Sequence, residues 1–157
     1  MLLLPGFFTG AISSSILPII SNAHINRNFT YIKKKTKQAI LFSLTIGIPA
    51  TISFLLFPTF FLKLIYNTTY GSNYLKILAI PFFFYYIEIP LSAVLQATNN
   101  SKKVMFDNLI GIILKTILLY LTSLFHIGIY SYIIACSVNI ILVTLLHIIH
   151  INAFYNP

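Results

Sequence analysis

The stretch that decides the fold is ILAIPFFFYYIEIPLSAVLQA, residues 77–97, in which Glu88 is the one charged residue. A helix of about 20 residues crosses the roughly 30 Å hydrocarbon core of a bilayer. Four further apolar stretches of similar length occupy residues 1–22, 39–62, 105–124 and 127–150. The sequence therefore predicts an all-α integral membrane protein with about five transmembrane helices, which form a single helical domain over residues 1–157.

The composition argues against a soluble domain. Hydrophobic residues make up 58% of the chain and charged residues 8%, whereas soluble domains carry about 25% charged residues. A formal net charge of +8 could suggest nucleic-acid binding, but the cations lie between the apolar stretches, where they orient the chain and attract anionic lipid. We therefore expect membrane lipid, and no nucleic acid, as a partner.

The charges between the stretches predict the orientation. A predicted loop at residues 23–38 holds five cations, and a second loop at residues 98–104 holds Lys102 and Lys103. The opposite breaks carry Lys63 and Lys76. Because Lys and Arg near segment ends stay in the cytoplasm, we expect a cell-membrane protein with its N-terminus outside and its C-terminus inside.

Four residues are candidate hinges: Gly47, Pro49, Pro81 and Pro90. An internal proline removes one backbone hydrogen bond, and in a membrane the freed carbonyl must find another partner. Each proline is either an ordinary membrane-helix proline or a hinge. The two prolines that flank Glu88 favour the hinge in that segment.

Glu88 and Lys115 are ionisable residues within predicted spans, where such residues usually mark a functional site. Glu88 lies 13 residues before Ser101 and Lys115 lies 14 after it, so antiparallel neighbouring helices would hold them at similar depth. The two side chains either pair or share a water-filled cavity, or else Lys115 extends to the outer surface and Glu88 is protonated.

Other polar groups support either binding or helix packing. Gln96 and Asn108 are further cavity candidates, although they could simply hydrogen-bond between helices. His147 and His150 have the spacing of metal ligands on one helical face, but no third ligand is expected nearby, so we predict no metal. No cofactor and no catalytic residue is predicted either, since the chain has no phosphate-binding loop and no catalytic triad or zinc-protease motif.

Several short motifs together resemble one family. They are SILPIIS at 15–21, IGIPA at 46–50, LKIL at 75–78, AVLQA at 93–97, IGIILK at 110–115 and GIYSYIIA at 128–135. Their order and spacing resemble those of polysaccharide flippases of the stage V sporulation protein B type. Ala97 and Ser131 depart from this pattern, because the family usually has glycine there.

The resemblance implies the multidrug/oligosaccharidyl-lipid/polysaccharide flippase fold, in which two six-helix lobes surround a central cavity. The chain resembles the last five helices, which make up most of the second lobe. The implied activity is the export of undecaprenyl-linked saccharides or peptidoglycan precursors for the cell wall or for sporulation. Lys115 matches a family lysine and would face the anionic headgroup, and Arg27 would lie at the cytoplasmic mouth.

Two alternatives stay open. If the resemblance holds, the chain would require the N-terminal lobe or another chain for transport. Such a chain could be a truncated fragment without activity of its own. It could instead be a subunit of an unrelated small transporter or channel, in which Glu88 would carry protons. An integral-membrane enzyme is not expected, because the only acidic residues are Glu88 and Asp107.

Overall fold

The protein is an all-helical bundle. The structure is a computed structural model that describes residues 1–155, of which 87% are helical and none are in strands. Its helices are α1 (Leu4–Ile25), α2 (Phe29–Leu56), α3 (Pro58–Tyr66), α4 (Ser72–Ala97), α5 (Ser101–Ser123) and α6 (Ile129–Tyr155). All but α3 are long and apolar enough to cross a membrane. The predicted number of spans is confirmed.

The lysine cluster lies on a helix and not in a loop. The connection between α1 and α2 is limited to residues 26–28, and the Asn28 side chain caps α2 by accepting a hydrogen bond from the Tyr31 backbone N–H at 3.1 Å. Lysine is a good helix former, so the first turns of α2 are polar yet helical. The predicted loop at residues 23–38 is therefore wrong, because low hydropathy does not by itself indicate the absence of a helix.

The second predicted stretch, residues 39–62, is divided between two helices. Helix α2 ends at Leu56, and α3 begins at Pro58. Proline suits the first position of a helix, where its missing N–H would have had no intrahelical partner. Pro49, in contrast, lies inside α2, and Pro81 and Pro90 lie inside α4, so both helices continue through their prolines. Their role as hinges stays a prediction.

Helix α4 lies at the centre of the bundle, where it packs against α1, α2 and α6 and more briefly against α3 and α5. Two apolar clusters hold the two ends together. One contains Ile20, Ile32, Leu95 and Ile151, and the other contains Leu2, Phe54, Leu75 and Ala79. We call the first of these the basic end, because it also carries Arg27, the lysines of α2, Lys102 and Lys103.

Much of the outer surface is apolar. Large side chains such as Phe7, Ile113 and Ile149 are more than half exposed. An exposed apolar surface of this extent is unusual for a soluble protein, whereas it matches a bundle surrounded by lipid tails. The buried positions hold small or polar residues such as Thr9, Ser43 and Thr144, in keeping with the small residues that let membrane helices approach closely.

Candidate functional site

A cavity of about 480 Å³ lies between Leu2 and Leu3, just before α1, and the middle parts of α4, α5 and α6. One part of its wall is apolar and includes Leu78, Phe82, Ile112 and Ile140. The polar part contains Tyr85, Glu88, Asn108, Lys115, Tyr132 and Asn139. Binding sites for small molecules commonly combine an apolar wall with a few convergent polar groups. This cavity is the candidate functional site.

Glu88 and Lys115 face this cavity from two different helices, α4 and α5. They share the cavity without forming an ion pair with each other. The Lys115 ammonium lies instead 5.0 Å from the centre of the Tyr132 ring, within the range of a cation–π interaction. Both residues therefore line one cavity, and the Lys115 ammonium packs against an aromatic ring of α6.

The wall between α5 and α6 depends on a glycine. A Cβ atom added at Gly111 would overlap the Asn139 side chain and would lie 2.5 Å from Val143 Cγ2. Only glycine allows the two helices to approach this closely, which is the usual reason for small residues at membrane-helix contacts. The close approach places Asn139, a cavity residue, directly beside α5.

The residues just before α1 are fixed against α4 by Tyr86. The Tyr86 hydroxyl donates a hydrogen bond to the Leu2 backbone carbonyl at 2.7 Å, and Tyr86 itself is almost fully buried. Gly47 of α2 leaves room for the Tyr86 ring, since a Cβ there would lie 3.1 Å from Tyr86 Cδ2. These contacts bring Leu2 and Leu3 into the cavity wall.

The remaining predicted site residues lie in different places. Asn108 lines the cavity. Gln96 is exposed near the end of α4 and lies outside the cavity, as does Arg27, which is exposed in the α1–α2 connection with a φ of 52°. Among the hinge candidates, Gly47, Pro81 and Pro90 are buried, whereas Pro49 is exposed. The structure thus brings together Glu88, Lys115 and Asn108.

A second polar cluster was missed at the sequence level. His150 Nε2 lies 3.1 Å from Asp107 Oδ1, and His147 Nε2 lies 3.7 Å from Asp107 Oδ2. The expectation that no suitable side chain lies near the two histidines is therefore wrong, because α5 and α6 are antiparallel neighbours. Among residues 1–155, however, no group of three His, Cys, Asp or Glu side chains is arranged to hold a metal ion.

Comparisons with known proteins agree on one family. The family model described as MatE matches residues 2–121. The chain is 30% identical to Stage V sporulation protein B of Bacillus subtilis (strain 168) over 94% of its own length and 29% of that protein. It is 26% identical to Sporulation protein YkvU of the same organism over 91% of its own length and 32% of that protein. No solved structure matches the chain significantly.

The chain therefore spans about a third of the length of the curated relatives that it matches. The matched residues include the whole of α4 and α5 as far as residue 121, and thus Glu88, Asn108 and Lys115. Tyr132 and Asn139 of α6 lie beyond the family match. The alignments with the two sporulation proteins each cover more than nine tenths of the chain and therefore include both residues.

Proposed function

The chain belongs to the MatE family of multi-pass membrane transporters, and from this membership we propose that it forms the C-terminal part of a flippase for lipid-linked saccharides. The substrate class is a polyprenyl lipid that carries a saccharide through a pyrophosphate, such as a cell-wall or polysaccharide precursor. The flippase would move this lipid from the inner to the outer leaflet and break no covalent bond.

The observation that carries this proposal is the position of Lys115 in a cavity with a mixed wall. An ammonium group in a cavity at membrane depth supplies the charge that a pyrophosphate needs, and the apolar wall suits a prenyl chain. Glu88 faces the same cavity and would balance the charge of Lys115 while the cavity is empty of substrate. The name of Stage V sporulation protein B supports a role in sporulation.

We further propose that another lobe or chain covers the open side of the cavity. Asn108 and Tyr132 line the cavity, yet both are exposed at the surface of the bundle. Polar groups exposed to hydrocarbon are costly, so they normally face protein or a water-filled space. A facing lobe would turn this open side into the central cavity of a two-lobe transporter.

Complementation tests this function. In a strain that lacks its own lipid-linked saccharide flippase, the chain joined to an upstream lobe should restore export, and the chain alone should not. Lys115→Gln should abolish export and Lys115→Arg should retain part of it, because arginine keeps the positive charge. Lys76→Gln is the matched control, since Lys76 is an exposed cation outside the cavity. Export at the wild-type rate by Lys115→Gln would overturn the proposed role of the cavity.

A second function, that of a small channel or transporter subunit, has one observation in its favour, which is the carboxylate of Glu88 in the cavity. Under that function Glu88 would carry protons, and the chain alone would conduct. Proton or ion flux through liposomes that contain only this chain, lost in Glu88→Gln, would favour the second function over the first.

A further inference from the structure

We propose that Asp107, His147 and His150 form a proton-binding site between α5 and α6. The two imidazoles approach the same carboxylate, one at each oxygen: His150 Nε2 at 3.1 Å from Oδ1 and His147 Nε2 at 3.7 Å from Oδ2. None of these residues lines the cavity described above. The site does not depend on the identity of the transported substrate.

The burial of the cluster explains why a proton would bind there. Asp107 is 3% exposed and His147 is fully buried. An isolated carboxylate is costly in such surroundings, and a proton shared with a neighbouring imidazole removes the net charge. Asp107 Oδ2 and both ring nitrogens of His147 have no hydrogen-bond partner, so a proton placed between Asp107 Oδ2 and His147 Nε2 would give both atoms a hydrogen bond.

The proton would enter and leave through His150. Its side chain is 28% exposed, whereas those of His147 and Asp107 are 0% and 4% exposed. A neutral imidazole has one acceptor nitrogen and becomes a donor at both nitrogens when it takes up a proton. A proton taken from water at the basic end would bind an imidazole, and the imidazolium would donate to Asp107. No covalent bond between heavy atoms forms or breaks.

The other charged and titratable groups near the cluster make their contacts elsewhere, so Asp107 is the charge partner of the histidines. On α5, Lys103 is exposed one turn before Asp107. On α4, Tyr85 and Glu88 face the cavity and Tyr86 bonds to Leu2. At the end of α6, the Tyr155 hydroxyl bonds to Thr36 of α2, and His24 of α1 packs on Phe154.

The cluster and the cavity lie along one contact between two helices. Asp107, Gly111 and Lys115 are spaced by four residues and so share one face of α5, and the first and last are about 12 Å apart along the helix. Gly111 holds this face tightly against Asn139 and Val143 of α6. A change in the α5–α6 contact at the cluster would therefore act on the same pair of helices that hold Lys115 and Tyr132.

Nitrogen NMR of the full chain in lipid nanodiscs tests the proposal, with ¹⁵N-labelled histidine and spectra from pH 5 to 8. We expect an imidazolium signal from the cluster that falls about threefold or more in Asp107→Asn, because the variant removes the carboxylate that both imidazoles approach. His126 is the internal control, since it lies in the α5–α6 turn at the opposite end of the bundle. Single variants His147→Gln and His150→Gln assign the signals.

Two results would overturn the proposal. One is an equal imidazolium fraction for His150 in the wild type and in Asp107→Asn, which a purely structural contact would give. The other is a wild-type spectrum in which His147 and His150 both stay neutral from pH 5 to 8, because the cluster would then bind no proton. This result does not depend on the folding of any variant. Neither measurement requires transport, so failure of the flippase function would leave this test intact.

Discussion

Glu88 and Lys115 are an acidic and a basic residue that face one cavity from neighbouring helices, so we expect replacement of either side chain to affect the other. Glu88→Gln and Lys115→Gln should each lower the melting temperature in detergent, because each leaves one uncompensated charge in the cavity. The double variant should lose less unfolding free energy than the two single variants lose together. The expected interaction free energy is about 0.5–3 kcal/mol, as for groups that share one site.

The control for this cycle pairs Glu88→Gln with Lys76→Gln, which changes a cation outside the cavity. That pair should be additive within about 0.5 kcal/mol. If Glu88→Gln and Lys115→Gln were additive as well, the two charges would act independently, each solvated by water in the cavity.

At the level of helices, the contact between α5 and α6 depends on the absence of a side chain at Gly111. Gly111→Ala should destabilise the protein by about 1–3 kcal/mol, the usual cost of overpacking, because its Cβ would meet Asn139 and Val143. Thermal unfolding in detergent measures this loss. Gly10→Ala is the matched control, since nothing lies within 4 Å of a Cβ there and alanine favours a helix by about 0.5–1 kcal/mol.

The pair Gly111→Ala and Val143→Ala extends the test, because the smaller side chain of α6 would make room for the new methyl group. We expect the pair to recover part of the loss that Gly111→Ala causes alone. Equal melting temperatures for Gly111→Ala and Gly10→Ala would contradict the close approach of the two helices.

The helices also show where prediction from sequence succeeds and where it fails. Hydropathy finds the five spans, because a bilayer demands long apolar segments. It misplaces the start of α2, since the turns that contain Lys33 and Lys37 are polar although helical. The sequence does contain a signal for the start of α2. Asn28 is a favourable capping residue, and it is followed by lysines with good helix propensity.

The two polar clusters differ in how far the sequence reveals them. Residue counting across the turn at Ser101 predicts similar depths for Glu88 and Lys115, and both residues line one cavity. The same comparison across the turn at His126 places Asp107 19 residues before it and His147 21 residues after it, which predicts their proximity. The close contact at Gly111 and the placement of Lys115 over Tyr132 depend on helix rotation, which residue counting does not provide.

At the scale of the whole molecule, the asymmetry of charge should set the orientation in the membrane. Seven of the ten Lys and Arg residues lie at the basic end, and Lys63 and Lys76 lie at the other. Because such an excess is retained in the cytoplasm, we expect the basic end, with the ends of α1, α4 and α6, to face the cytoplasm. The turns after α3 and α5 would then face outward.

Labelling of single cysteines in intact cells measures this orientation. With Cys136 replaced by alanine, Thr69→Cys should react with a membrane-impermeant maleimide, whereas Asn26→Cys and Ser101→Cys should react only after the cells are permeabilised. All three positions are exposed in the structure, so labelling after permeabilisation serves as the control for access. Labelling of Asn26→Cys and Ser101→Cys from outside, with Thr69→Cys protected, would reverse the orientation, and Asp107, His147 and His150 would then exchange protons with the external medium.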